Sequence, residues 1–182
     1  MDVDDARCDV QALDTDDLET ALSWAAATGP YVSTVKVGLA LFLRHGGDAV
    51  RKARQASGGR DVFLDLKLHD IPNTVAKAVQ ALRPLEPALL TVHAGGGRAM
   101  MEDAKAAAAN GTKVVAVTML TSLDERAATV DARMSGVGAS SIVRSSDSRK
   151  HCSARPRAAA CLVAGLDGED CVFISPALSP GA

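Results

Sequence analysis

Apolar runs begin near Tyr31, Val62, Ala88 and Lys113, and each is followed by a stretch of helical periodicity. The spacing is about 25 to 30 residues, the length of one strand-plus-helix unit. The runs are continuous rather than alternating, as in a parallel sheet covered on both faces. Such alternation builds either a doubly wound sheet or a (β/α)8 barrel. No G-x-G-x-x-G follows the first run, which weakens the dinucleotide-binding version of the former.

The intervening segments carry helix signals. Asp16 to Ala27 is expected to be helical, capped by Asp16, with Glu19 three residues on as in a capping box and Gly29 at its end. Leu39 to Gln55 is expected to be helical with a break near Gly46–Gly47. Pro72 suits the first turn of a helix that runs to Arg83, just before Pro84. Arg98 to Ala109 is a further helix. Gly95–Gly97 opens it after a strand and could hold a phosphate, but a lone triple glycine is a weak signal and a tight turn is the better account of it.

Composition narrows the function. Aromatic residues are 3% of the chain, too few for the stacking platforms of single-strand nucleic-acid binders. The net charge of -2 announces no basic face for DNA or a membrane surface. No apolar run approaches the roughly 20 residues of a membrane helix. The acidic start MDVDDARCDV has no signal-peptide core, so the expected location is cytoplasmic. Cys8, Cys152, Cys161 and Cys171 form no zinc spacing and are read as free thiols.

The stretch DVFLDLKLHDIPNT, Asp61 to Thr74, departs from this plain pattern. An apolar strand core, Val62–Phe63–Leu64, runs into Asp65, Lys67 and Asp70. Charges are costly to bury unless paired. In a βα barrel, reactive groups gather at the C-terminal strand ends. Asp14, Lys36, Asp65 with Lys67, His93, and Thr118 with Thr121 all fall at such ends. Alternation along a strand points Asp65 and Lys67 the same way, about 6 to 7 Å apart. One such pair would pass for a structural ion pair, but polar groups at five strand ends in register point to a site.

DLKLHDIPNT resembles the signature of the orotidine 5'-phosphate decarboxylase family, Asp-x-Lys-x-x-Asp followed by Ile-Pro-Asn-Thr. The similarity runs from about Ala12 to Glu125. It takes in ALD (Ala12–Asp14), VKVGL (Val35–Leu39), TVHAGGGRAMM (Thr91–Met101) and AVTMLTSLDE (Ala116–Glu125). The resemblance implies a (β/α)8 TIM-type barrel, here incomplete, with about five βα units recognisable. It implies a carboxy-lyase that converts orotidine monophosphate to uridine monophosphate and CO2 in pyrimidine synthesis, without metal or organic cofactor. By the same resemblance, Asp65 crowds the departing carboxylate. Lys67 stabilises the carbanion and then protonates it, and Lys36 and Asp14 hold the ribose and the charged network. Asp70 and Thr74 reach into the neighbouring subunit's site across a homodimer interface. Ile71, Pro72, Asn73 and Thr121 complete the substrate-binding set. His69 is read as a packing or loop-ordering residue rather than the general acid. Two alternatives stay open: a related sugar-phosphate lyase or synthase, usually metal-assisted, and a non-catalytic, partner-binding half-barrel of the same descent.

After about Arg126 the chain changes character. Residues 1–125 hold 13 Lys+Arg and 17 Asp+Glu, net -4, whereas 126–182 hold 7 and 5, net +2. The later part is rich in Ser, Arg and Cys and lacks a clear apolar period. No counterpart is found there to the family's phosphate-gripping loop and arginine, although VFISPALSPGA has the look of a late strand. Asp9 and Gln11 also stand where the first strand should be apolar. Two regions are therefore expected: a βα barrel portion at 1–125 and a divergent tail at 126–182, as in a truncated or frame-disrupted member.

Overall fold

The computed structural model describes residues 10–117 and the two strands Cys161–Gly165 and Cys171–Ile174. The order is β1 (Val10–Leu13), α1 (Leu18–Thr28), β2 (Thr34–Gly38), α2 (Leu39–His45), α3 (Gly47–Ala56) and β3 (Asp61–Leu68). It continues with α4 (Pro72–Leu82), β4 (Leu89–His93), α5 (Gly97–Ala107), β5 (Lys113–Val117), β6 (Cys161–Gly165) and β7 (Cys171–Ile174).

The sheet runs β1-β2-β3-β4-β5-β6-β7 in space as in the chain. Strands β1 to β5 pair in parallel, each with the next. A doubly wound sheet reverses its strand order at a switch point. This one never does, so the winding is that of a barrel wall: five parallel strands of a partial (β/α)8 barrel. β6 and β7 then add antiparallel. The late strand expected in VFISPALSPGA therefore exists over Val172–Ile174, but it runs against its neighbour rather than as a further parallel unit.

Side-chain alternation divides the sheet into two faces. Val35, Val37, Val62, Leu64, Leu90, Val92, Val114 and Ala116 join the helices in one hydrophobic cluster. The helices answer with Ala21, Ala25, Ala49, Val50, Ala53, Val75, Val79, Met100 and Ala104. Many of these are alanines, so the helices lie close to the strands, with Trp24 and Phe42 packed partly buried against the cluster. The alternate positions Ala12, Lys36, Phe63, Asp65, Thr91, Val115 and Val117 are buried outside that cluster. They make up the other face, which corresponds to the inside of the barrel.

Local details depart from the sequence reading in several places. Asp17, not Asp16, caps α1: its Oδ2 accepts from the Thr20 N–H at 2.8 Å. Asp16 is drawn away to an ion pair with Arg44, and its carbonyl meets His45 Nε2 at 2.9 Å. Strand β2 begins at Thr34 rather than near Tyr31, because Pro30 sits in a 3-10 turn, Gly29–Tyr31. Gln11 lies within β1 despite its polarity, and its amide donates to the Ala12 carbonyl at 2.9 Å. The break between α2 and α3 falls at Gly46, whose φ of 58° L-residues rarely adopt. Pro72 opens α4 as expected. Gly95–Gly97 forms a tight turn: a Cβ at Gly96 would lie 2.0 Å from Met100 Sδ. Asp9, Thr118, Thr121 and the boundary near Arg126 lie outside the described residues.

Candidate active site

Strand register sets the site. Ala12 stands beside Lys36, Lys36 beside Phe63, and Gly38 beside Asp65, so β1 and β2 finish near the level of Asp65 while β3 runs on to Leu68. Asp14, one residue past β1, comes within reach of Lys36, whose Nζ donates to Asp14 Oδ1 at 2.9 Å. The same ammonium lies 3.6 Å from Asp65 Oδ2. Lys67 Nζ donates to both Asp65 oxygens at 2.8 Å. Two ammonium groups thus bracket one buried carboxylate, and a second carboxylate, Asp14, closes the row towards solvent. The side chains of Lys36 and Asp65 are 9% and 8% exposed, those of Lys67 and Asp14 38% and 57%. The row is charge-balanced, which is the condition for keeping ions this far from water.

Sequence reasoning missed Thr91. It is fully buried, and its hydroxyl donates to Asp65 Oδ1 at 2.9 Å and accepts from the Lys67 N–H at 2.9 Å. A signal was present: a single hydroxyl inside the apolar run ALLTV needs a hydrogen-bond partner when buried. Strand β3 is also less regular than expected. Its pairing with β4 shifts between Leu64 and Leu68, and Lys67 has a φ of 49°. That left-handed conformation is costly for a residue with a side chain and concentrates at functional sites.

The remaining expected residues lie apart from this row. Asp70 is exposed, and its Oδ1 accepts from the Ile71 N–H at 2.7 Å. Ile71 is 64% exposed; Asn73 and Thr74 are exposed on the first turn of α4 and Pro72 is half-buried. His93, at the end of β4, accepts from Gly95 N–H through Nδ1 and stacks on His69 with ring centroids 5.0 Å apart. His69 therefore packs against the neighbouring strand end. Among the described residues no group of three or more His, Cys, Asp or Glu converges as metal ligands would.

A partial βα barrel that gathers lysines and aspartates at its C-terminal strand ends carries its charged groups where barrel enzymes carry their active sites. The Orotidine 5'-phosphate decarboxylase / HUMPS family model matches residues 10–180, and the chain belongs to that family. An orotidine 5'-phosphate decarboxylase of Sphingopyxis alaskensis is 58% identical over 113 residues, covering 62% of this chain and 50% of that protein. One of Novosphingobium aromaticivorans is 54% identical over 129 residues, 71% of this chain and 55% of its own length. The crystal structure of orotidine 5'-phosphate decarboxylase from Pyrococcus horikoshii superposes with a TM-score of 0.59 at 27% identity. That match covers 69% of this chain and 59% of that one. The chain spans about half the length of these curated relatives.

Proposed function

We propose that the row Asp14–Lys36–Asp65–Lys67 is the catalytic centre of an orotidine 5'-phosphate decarboxylase, releasing CO2 and leaving uridine monophosphate. The observation that carries the reading is the buried Asp65 carboxylate held between two ammonium groups at the strand ends. When the C–C bond to the carboxylate breaks, its electron pair stays on the pyrimidine carbon. Lys67, the more accessible of the two ammonium groups, is placed to meet that charge and then hand over a proton. Asp65 lies 2.8 Å from the same ammonium, so a substrate carboxylate seated at Lys67 would face it across a short gap. That arrangement disfavours the bound acid more than the carbanion that follows. Lys36 and Asp14 keep the row in register and offer hydrogen bonds to the ribose.

The same proposal includes a cytoplasmic homodimer. Asp70, Ile71 and Thr74 are exposed just past the end of β3, as residues completing a partner's site would be. It also includes the division near Arg126. The antiparallel course of β6 and β7 supports a change of architecture after β5, while the family match itself crosses that boundary.

The test is CO2 release from orotidine monophosphate by the full chain beside its Lys67→Ala variant. Release that disappears with Lys67 supports the mechanism. Release unchanged in the variant, or absent from the wild type, removes it. A requirement for magnesium would move the assignment to a metal-assisted sugar-phosphate enzyme.

A further inference from the structure

Three residues of β3, Asp65, Leu66 and Lys67, stand between the pairs Leu64↔Leu90 and Leu68↔Val92, opposite the single residue Thr91. Here the ladder gives way to the Thr91 side chain, which takes the Lys67 N–H at 2.9 Å. The hydroxyl has one proton, and it is directed to Asp65 Oδ1 at 2.9 Å. One oxygen atom therefore fixes both the backbone of the lysine and the carboxylate that the lysine's ammonium grips.

We propose that Thr91 is a positioning residue that locks Lys67 in its left-handed conformation and holds Asp65 in the orientation that presents both oxygens to the Lys67 ammonium. A left-handed lysine is disfavoured by its own Cβ and persists only where surrounding contacts over-determine it. At this bulge the contact is a side-chain oxygen, not a carbonyl of the ladder. Without it, the Lys67 N–H loses its acceptor and Asp65 loses a donor in the same buried space, both of which are costly. The chain can relieve that cost only by shifting the β3 bulge, and the lysine moves with it. Thr91 is fully buried, with its hydroxyl committed to Asp65 and the Lys67 N–H, and it acts through those two residues. Strand β5 holds Thr91 in turn, since Thr91 pairs with Val115 in an unbroken register from Leu89 to His93.

The inference has a structural half that stands alone and a kinetic half that rests on the decarboxylase reading. Backbone chemical shifts of Lys67 are measured in the wild type, Thr91→Val, Thr91→Ser and Thr91→Ala, with thermal unfolding to select folded variants. Valine keeps the shape and removes the hydroxyl; alanine does so with less bulk should valine fail to fold. The left-handed signature at Lys67 is expected in the wild type and the serine variant and lost in valine and alanine. Its survival in a folded variant without the hydroxyl overturns the proposal. In the kinetic half, kcat of the valine variant should fall about 100-fold with KM little changed, the scale of loss for a misplaced reacting group, and serine should restore most of it. Loss confined to KM, or no rescue by serine, also overturns the positioning role. A wild type without CO2 release defeats the decarboxylase reading instead, and the chemical shifts alone then decide Thr91.

Discussion

Replacing Asp65 by Asn tests the charged row most directly, because it removes one charge and almost no volume. At an effective dielectric of about 20, the attractions of Asp65 for Lys67 at 2.8 Å and Lys36 at 3.6 Å are about 6 and 5 kcal/mol before desolvation is counted. Desolvation of the three groups offsets most of this, so the gross sum is not the expected loss. What decides the outcome is where each lysine can go. Lys67, 38% exposed, can swing into water, and its share is discounted accordingly. Lys36, 9% exposed, cannot, and is left with Asp14 alone. A buried ion that loses its only partner costs about 3 to 5 kcal/mol, and Lys36 keeps one of two, so about 2 kcal/mol is expected. Urea unfolding followed by circular dichroism reads this as a lower midpoint at unchanged slope. The loss should vary little between low and moderate salt, because the buried pair is weakly screened. A variant as stable as the wild type would show that the row contributes no net stability and would refute this reasoning.

Two further substitutions probe the scaffold. Gly29→Ala puts a Cβ 2.4 Å from the Ser57 carbonyl oxygen, a backbone atom that cannot step aside without moving the end of α3. It should destabilise by about 1 to 3 kcal/mol in the same urea assay, the usual cost of overpacking. Asp17→Asn keeps an N-cap acceptor but removes a titrating group. The hydrogen bonds from Thr20, side chain first and backbone second, hold the Asp17 carboxyl below the ordinary carboxylate range. Its contribution is therefore present above the unfolded value of 3.8 and lost as pH falls through the lower folded value. Stability measured from pH 6 down to about 3 should decline less steeply in the variant; parallel curves would count against the assignment.

Much of the fold was legible because periodicity is a local property. Continuous apolar runs, Pro72 at the head of α4 and the glycines between α2 and α3 each specify their element from nearest neighbours. Asp65 and Lys67 could be placed together because two residues apart on a strand means one face. The α1 cap was misassigned by one residue because Asp16 and Asp17 compete equally in sequence, and the distant Arg44 and His45 settle the matter. Thr91 could be suspected as a buried hydroxyl but not assigned, since its two partners lie 24 and 26 residues earlier.

The sequence alone determined the elements, their apolar faces and the chemical identity of the charged strand ends, all of which follow from short-range sterics and burial. Periodicity left a barrel wall and a doubly wound sheet both open and only the family resemblance favoured the barrel; the strand order itself, and the contacts that join Asp14, Lys36, Asp65, Lys67 and Thr91, came with the tertiary structure. Strand order and inter-strand register are long-range pairings that no local segment specifies. The bulge opposite Thr91 exists only once β3 and β4 lie side by side.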